Sequence, residues 1–422
     1  MIQIHRVRIF SLFLTFLLAI SASGCVNQTD HTETSVSDPI NGEVYHTIGV
    51  AVFSPDDPEM SMFFNYYRNY IAESFPVQFL MSETLNSADD EIAFIETMKA
   101  QGAGGIISFY GLDLERTVAA CAENEIYYVL GSSSISDEVY DAVKDNPWFL
   151  GVIGPDSNEE FRAGQEMAEA FAADGARTFL IASGGAGNAA NYMHYTRVEG
   201  MLTALQAALD LTYSGTIEQL AQTAELTELE TDREDVRIVI SPGYVQNGAG
   251  VGNLRNALET DDFDALLSAV GITDVIDLLT EEIQTSEKEL LVGVVDCFSQ
   301  ENLEAVETRD ADGNSLLNYV KGKYASMVAP AFAAMFNALE GDVDVVKPEG
   351  IAFRLYQSYW TAAGEAEYVE LYGYTQSIYE NAYSSVDLMN VIRIYNEAAT
   401  FEEFKTLTEH SDIESVRARL AE

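Results

Sequence analysis

From residue 46 onward, short apolar runs rich in β-branched residues alternate with longer stretches whose apolar positions recur at helical spacing. The first series of runs covers 47–53 (TIGVAVF), 77–81 (VQFLM), 105–110 (GIISFY), 127–130 (YYVL) and 149–153 (FLGVI). A run that is apolar along its whole length has no face to offer to water. It fits the interior of a parallel sheet covered by helices on both sides. After Gly154-Pro155-Asp156 a second series begins, with runs at 178–183, 236–241, 265–270 and 290–295. The pattern predicts an α/β chain of two doubly wound lobes joined by a hinge, over 45–155 and 156–340. No period of 20 to 50 residues recurs, which excludes solenoids and propellers. Beyond 341 the sequence predicts hinge-return strands and C-terminal helices: strands over 352–359 and 368–374, and helices over 388–398, 401–408 and 413–420.

Charge narrows the partners. Lys and Arg total 22 against 68 Asp and Glu, a formal net charge of −46. Such a surface repels phosphate backbones, so nucleic acid is excluded as a partner. The N-terminus carries Arg6 and Arg8, then twelve mostly apolar residues over 9–20. Twelve helical residues reach about 18 Å, short of the roughly 30 Å bilayer core, so residues 1–24 read as an export signal. Ala22-Ser23-Gly24-Cys25 resembles the lipobox of bacterial lipoproteins, which implies lipidation at Cys25 and a place on the extracellular face of the cell membrane. The polar stretch 25–44 is expected to be a flexible tether. Cys121 and Cys297 are expected to be buried free thiols, because one pair far apart makes no disulfide framework.

Three further places carry a second resemblance. They are 98–110 (MKAQGAGGIISFY), Arg197-Val198-Glu199-Gly200-Met201, and 291–298 (LVGVVDCF) with the helix that follows it. Their order resembles the type I periplasmic binding-protein superfamily, most closely the ribose and galactose binders, over about residues 46–340. The resemblance implies two Rossmann-like lobes, a ligand held between them, and delivery to the permease of an ABC importer. It also implies that Arg197 touches the ligand, and that a polar and an aromatic residue after the first strand face a sugar ring.

In open parallel sheets, ligands collect beyond the carboxyl ends of the strands, and two facing lobes close around them by hinge motion. Residues next to the predicted strand ends are therefore the candidates: Asp56, Asp57 and Phe63 after the first; Phe109 and Tyr110; Ser132; then Asn191, Tyr192, Arg197, Tyr244, Thr273, Asp296 and Lys321, with Lys323 beside it. An arginine fork there suits vicinal hydroxyls or a carboxylate. Blander roles stand beside these: Asp56, Asp57 and Asp296 as helix caps, Ser132 as a turn former, Arg197 in an ion pair, the lysines on the surface.

Five histidines are scattered, without a Ser-His-acid set, a metal-ligand spacing or a nucleophile elbow. The expectation is a monomeric solute receptor, not an enzyme, with no cofactor and no metal. Its ligand is a sugar, a nucleoside or an amino acid, in that order. A sensor that passes its ligand state to a membrane kinase or chemoreceptor stays open as the alternative to transport.

Overall fold

The computed structural model describes residues 45–184, 192–243, 248–285, 289–310, 312–376 and 382–421. Cys25, Asn191 and Tyr244, with the signal and tether segments, lie outside the described residues. In chain order the strands are β1 His46–Ala51, β2 Val77–Met81, β3 Gly105–Ser108, β4 Tyr127–Gly131, β5 Phe149–Gly154, β6 Thr178–Gly184 and β7 Thr227–Glu228. They continue with β8 Arg237–Pro242, β9 Ala265–Ser268, β10 Leu291–Cys297, β11 Tyr319–Lys323, β12 Phe353–Tyr356 and β13 Trp360–Ala363. They form two sheets. The first has the order β12-β5-β4-β3-β1-β2, with every pair parallel. The second runs β13-β11-β10-β9-β6-β8-β7, parallel inside and antiparallel at both edges.

The central runs became strands for the reason their composition gives. Every residue of β5 and of β9 is buried, as covering by helices on both faces requires. Side-chain caps fix where the intervening helices begin: Ser87, Asp113, Ser136 and Asp156 each accept a backbone N–H from the first turn that follows.

The chain passes between the sheets three times: after β5, after β11, and between β12 and β13. Helix Ala329–Leu339 falls within the stretch that the sequence reading gives to the second lobe, yet it packs on the first sheet. There Gly104 and Gly105 leave room for Leu339 and Met335. The first lobe thus comprises β1–β5, helix Ala329–Leu339 and β12; the second comprises β6–β11, β13 and the helices around them.

In the tail, residues 368–374 are not a strand. They lie within helix Glu365–Gln376, which buries Tyr368, Leu371 and Thr375 on one face. The alternating tyrosines suggested a period of two, but packing selects the helical period, and β-propensity yields to context. The helix expected over 388–398 is the shorter Ser385–Val391, whereas helices Phe401–Glu409 and Ile413–Leu420 lie where the sequence places them.

One contact in the second lobe sets the position of much else. Helices Ser157–Ala173 and Tyr192–Leu209 touch backbone to backbone through two glycines. A methyl on Gly164 would overlap the Arg197 carbonyl, and one on Gly200 would overlap the Phe161 carbonyl. Gly200 within the Arg197–Met201 motif therefore has a steric reason. We expect Gly200→Ala to force the helices apart and destabilise the fold by about 1–3 kcal/mol, a cost typical of overpacking. Urea unfolding would register it as a lower midpoint, and an unchanged midpoint would show that the crossing has slack.

Candidate functional site

The carboxyl ends of the central strands bring charged groups of both lobes together. Asp57 precedes helix Pro58–Tyr66 and caps it, its Oδ1 accepting from the N–H groups of Glu59 at 2.9 Å and Met60 at 3.2 Å. In the next turn Glu59 Oε1 meets Lys323 Nζ of β11 at 2.8 Å, an ion pair from one lobe to the other. Asp296 of β10 is half-buried, and its Oδ2 accepts from Asn302 Nδ2 at 2.7 Å.

Both aspartates are held as reluctant anions. Burial, with repulsion from Glu59 and from Asp296, pushes the Asp57 carboxyl up to about 7. Burial raises Asp296 to about 6; Glu59 adds to the rise while the Asn302 hydrogen bond opposes it. No lysine or arginine lies within ion-pair distance of either carboxylate among the described residues. The nearby cations are already engaged by other acids. His194 is pushed down to about 3 by burial and by the charges of Arg197 and Lys323, so its ring is neutral.

Arg197 is buried and held by its own protein. Nε donates to Glu160 Oε2 at 2.6 Å, one terminal nitrogen to the Ala269 carbonyl at 2.7 Å, and the other to the Tyr359 hydroxyl at 3.2 Å. The Tyr359 hydroxyl in turn donates to Glu160 Oε1 at 2.8 Å, which closes a ring of three side chains. Burial works against the charge of the guanidinium, but Glu160 and Tyr359 more than offset it, and the group stays protonated. The ion pair set beside the ligand role in the sequence reading is present, and it is buried, not at the surface.

The other candidates scatter. Ser132, at the end of β4, has a left-handed backbone (φ 54°), and its buried hydroxyl lacks a hydrogen-bond partner. Strain and an unpaired polar atom at one position are both costs, and they concentrate at functional sites. Phe109 is half-buried, its ring 5.1 Å from Phe63 and 6.4 Å from Tyr67, so it has the packing partners that the sequence left out. Phe63 itself is fully buried in the core. Tyr110 packs beside the outer core of the first sheet. Asp56 is exposed, so of the neighbouring pair only Asp57 joins the charged group. Tyr192 is 64% exposed. Thr273 starts a single short helical turn after β9. Lys321 is buried with Glu166 Oε2 at 2.5 Å and Glu159 Oε1 at 3.6 Å.

Glu59, Glu160 and Tyr359 were missed. Glu160 and Tyr359 lie far from Arg197 in sequence, and only the glycine-mediated helix crossing brings Glu160 beside it. Among the described residues, no three His, Cys, Asp or Glu side chains are grouped to hold a metal ion.

No protein-family model matches the chain, and no curated relative does. Solved structures do. A galactofuranose binding protein matches with a TM-score of 0.54 at 12% identity, over 78% of this chain and 98% of its own. A periplasmic solute binding protein of an ABC transporter from Actinobacillus succinogenes 130z, with bound D-allose, matches at 0.53 and 13%, over 77% and 99%. The periplasmic binding protein component of the arabinose ABC transporter from Shewanella sp. ANA-3, bound to α- and β-L-arabinofuranose, matches at 0.52 and 14%, over 78% and 95%. At these identities the likeness establishes a shared two-lobed fold.

Two outcomes follow from the charges. Asp57 titrates near 7 folded and near its ordinary 3.8 unfolded, so its ionisation weakens the folded state above pH 7, and acidification from 7 towards 4 relieves that cost. His194 has the opposite sense: its neutral state favours folding above 6.5, and that benefit is lost as pH falls from 6.5 towards 3. Asp57→Asn keeps a good cap and removes only the charge. The variant should exceed the parent in stability at pH 8 by about 1–3 kcal/mol, allowing for solvent screening of a half-buried group, and the advantage should shrink as pH falls below 7 and vanish near pH 4. Calorimetry across that range measures it. Arg197→Ala, by contrast, strands Glu160 without a counter-charge and should cost about 3–5 kcal/mol of unfolding free energy in urea titrations.

Proposed function

We propose that this chain, which has the two-lobed fold of the type I periplasmic binding proteins, captures a small hydroxyl-rich ligand, a monosaccharide first, in the cleft between its lobes. The observation that carries this reading is the pair Asp57 and Asp296, one from each lobe, both raised towards neutrality and neither matched by a cation. Asp57 Oδ1 and Asp296 Oδ2 already accept from within the protein, but a carboxyl group can accept more than these bonds, and the hydroxyls of a sugar supply neutral donors in pairs. Ser132 Oγ adds a buried group without a partner. Half-buried Phe109, packed on Phe63 at the end of the first lobe's β3, is the aromatic candidate for the ligand's C–H surface. An amino acid fits less well, because each nitrogen of Arg197 already has an acceptor within the protein and a ligand carboxylate would meet two acids.

In the same reading, the chain is exported, lipidated at Cys25 and tethered by residues 25–44 at the extracellular face of the membrane. There it hands its ligand to an ABC permease. The lipobox-like sequence supports the anchor, and the fold shared with binding components of ABC transporters supports the importer.

A thermal-shift series with D-galactose, L-arabinose, D-allose, uridine and L-leucine tests the ligand class. Saturation at 100 times the dissociation constant should stabilise the fold by about 2.7 kcal/mol. A shift with at least one sugar is expected, and Asp296→Asn should diminish it. A response to L-leucine alone would overturn the reading.

A further inference from the structure

We propose that the C-terminal segment 382–421 is a brace across the hinge, and that Ser411 is its positioning residue. Ser411 is fully buried, in the short link between helices Phe401–Glu409 and Ile413–Leu420. Its carbonyl accepts from Trp360 Nε1 at 2.9 Å and from the Tyr324 hydroxyl at 3.3 Å, and its Oγ accepts from the Ser358 N–H at 2.8 Å. Tyr324 belongs to the second passage between the sheets and Ser358 to the third, and Trp360 is the first residue of β13 at the end of that passage. One residue of the tail therefore holds both. The rings of Tyr324 and Trp360 stack at 3.8 Å and 6°, which locks the two passages to each other at the same point. A second tie lies alongside: Gln357 Nε2 donates to the Met327 carbonyl at 2.9 Å and meets the Tyr383 hydroxyl at 3.3 Å.

The brace is mounted firmly on the first lobe. Asn337 donates to the Val391 carbonyl and accepts from the Arg393 N–H, each at 2.9 Å, and Phe404 packs on Phe353. The Tyr66 hydroxyl reaches the Tyr383 carbonyl at 3.2 Å. Apart from the Trp360 bond at the start of β13, its link to the second lobe is lighter. Arg417 meets Glu370 of helix Glu365–Gln376 at 2.7 Å, with both side chains 44% exposed. An exposed pair of this kind contributes little and weakens in salt. A hinge turns by changing backbone angles in a few connecting residues. Here those residues are gripped by a body fixed to one lobe and latched to the other, so the brace limits how far the lobes swing.

The brace extends the ligand-capture reading, but its test needs no ligand. Nitroxide labels at Asp89→Cys in the first lobe and Glu228→Cys in the second report the spread of interlobe distances in the full chain. Hydrogen exchange reports the passages themselves. Glu370→Gln opens the latch and Ser411→Ala removes the acceptor of the Ser358 N–H. Each should broaden the distance distribution, and Ser411→Ala should speed exchange at 357–360 about tenfold, the loss of one ordinary hydrogen bond. Ser411→Thr should restore the parent behaviour, and Trp360 emission should shift with the opening. If Ser411→Ala does not fold, Glu370→Gln decides alone. Distances and exchange that match the parent in the variants that fold would overturn the brace. A chain that answers to none of the small molecules above, yet opens when unlatched, would sink the capture reading and leave the brace standing.

Discussion

A buried positive charge must be answered wherever it sits, and in this protein the answer to Arg197 organises the second lobe. Its guanidinium is almost wholly out of reach of solvent, and Glu160, Tyr359 and the Ala269 carbonyl supply its acceptors. Those three groups belong to helix Ser157–Ala173, to the third passage between the sheets and to the segment after β9. A ring that costs several kcal/mol to break ties the frame of the lobe to its hinge. It forms only because Gly164 and Gly200 let two helices meet at backbone distance. Steric room comes first, and the electrostatics follow from it.

The same logic separates the acids that are spoken for from those that are not. With 68 carboxylates in the chain, proximity of acids means little by itself. What distinguishes Asp57 and Asp296 is that the cations around them are committed elsewhere: Lys323 to Glu59, Arg197 to Glu160 and Lys321 to Glu166. Their burial, with the repulsion between them, is a standing cost to the folded protein. A ligand that donates hydrogen bonds lowers this cost, and lowers it most when both lobes reach it, which is how a ligand favours one arrangement of the lobes over another.

Much of this was legible in the sequence, because its signals are local. Runs apolar along their whole length announced covered parallel strands, and the central strands lie where those runs are. The tail misled because the aromatic-rich run 368–374 reads as a strand by composition, while partners that fix it as a helix, Phe298 and Ser299 against Tyr368, lie some seventy residues back in the chain. Position after a strand picked out Asp57 and Asp296, which the fold sets at the strand ends of the two lobes, yet it could not say that Phe63 would turn into the core or that Arg197 would be consumed by Glu160. The pairing of Arg197 with Glu160 depends on a helix crossing between residues thirty-odd positions apart, and a single sequence carries no trace of it beyond two glycines.

Cleft and brace meet in three consecutive residues. Along 358–360 the extended chain alternates its faces, as any strand-like segment must. Ser358 and Trp360 turn to Ser411, while Tyr359 turns the other way, its N–H to Glu159 at 3.1 Å and its hydroxyl to Glu160. A rotation of this segment large enough to release Tyr359 from the Arg197 ring would carry its neighbours off the brace as well. The two sets of hydrogen bonds therefore hold one backbone geometry from opposite sides. Contiguity of this kind gives a mechanical route between hinge angle and cleft chemistry, and it rests on a segment with few internal degrees of freedom. A backbone held near one geometry from both sides leaves less rearrangement to be driven by the energy of any binding event.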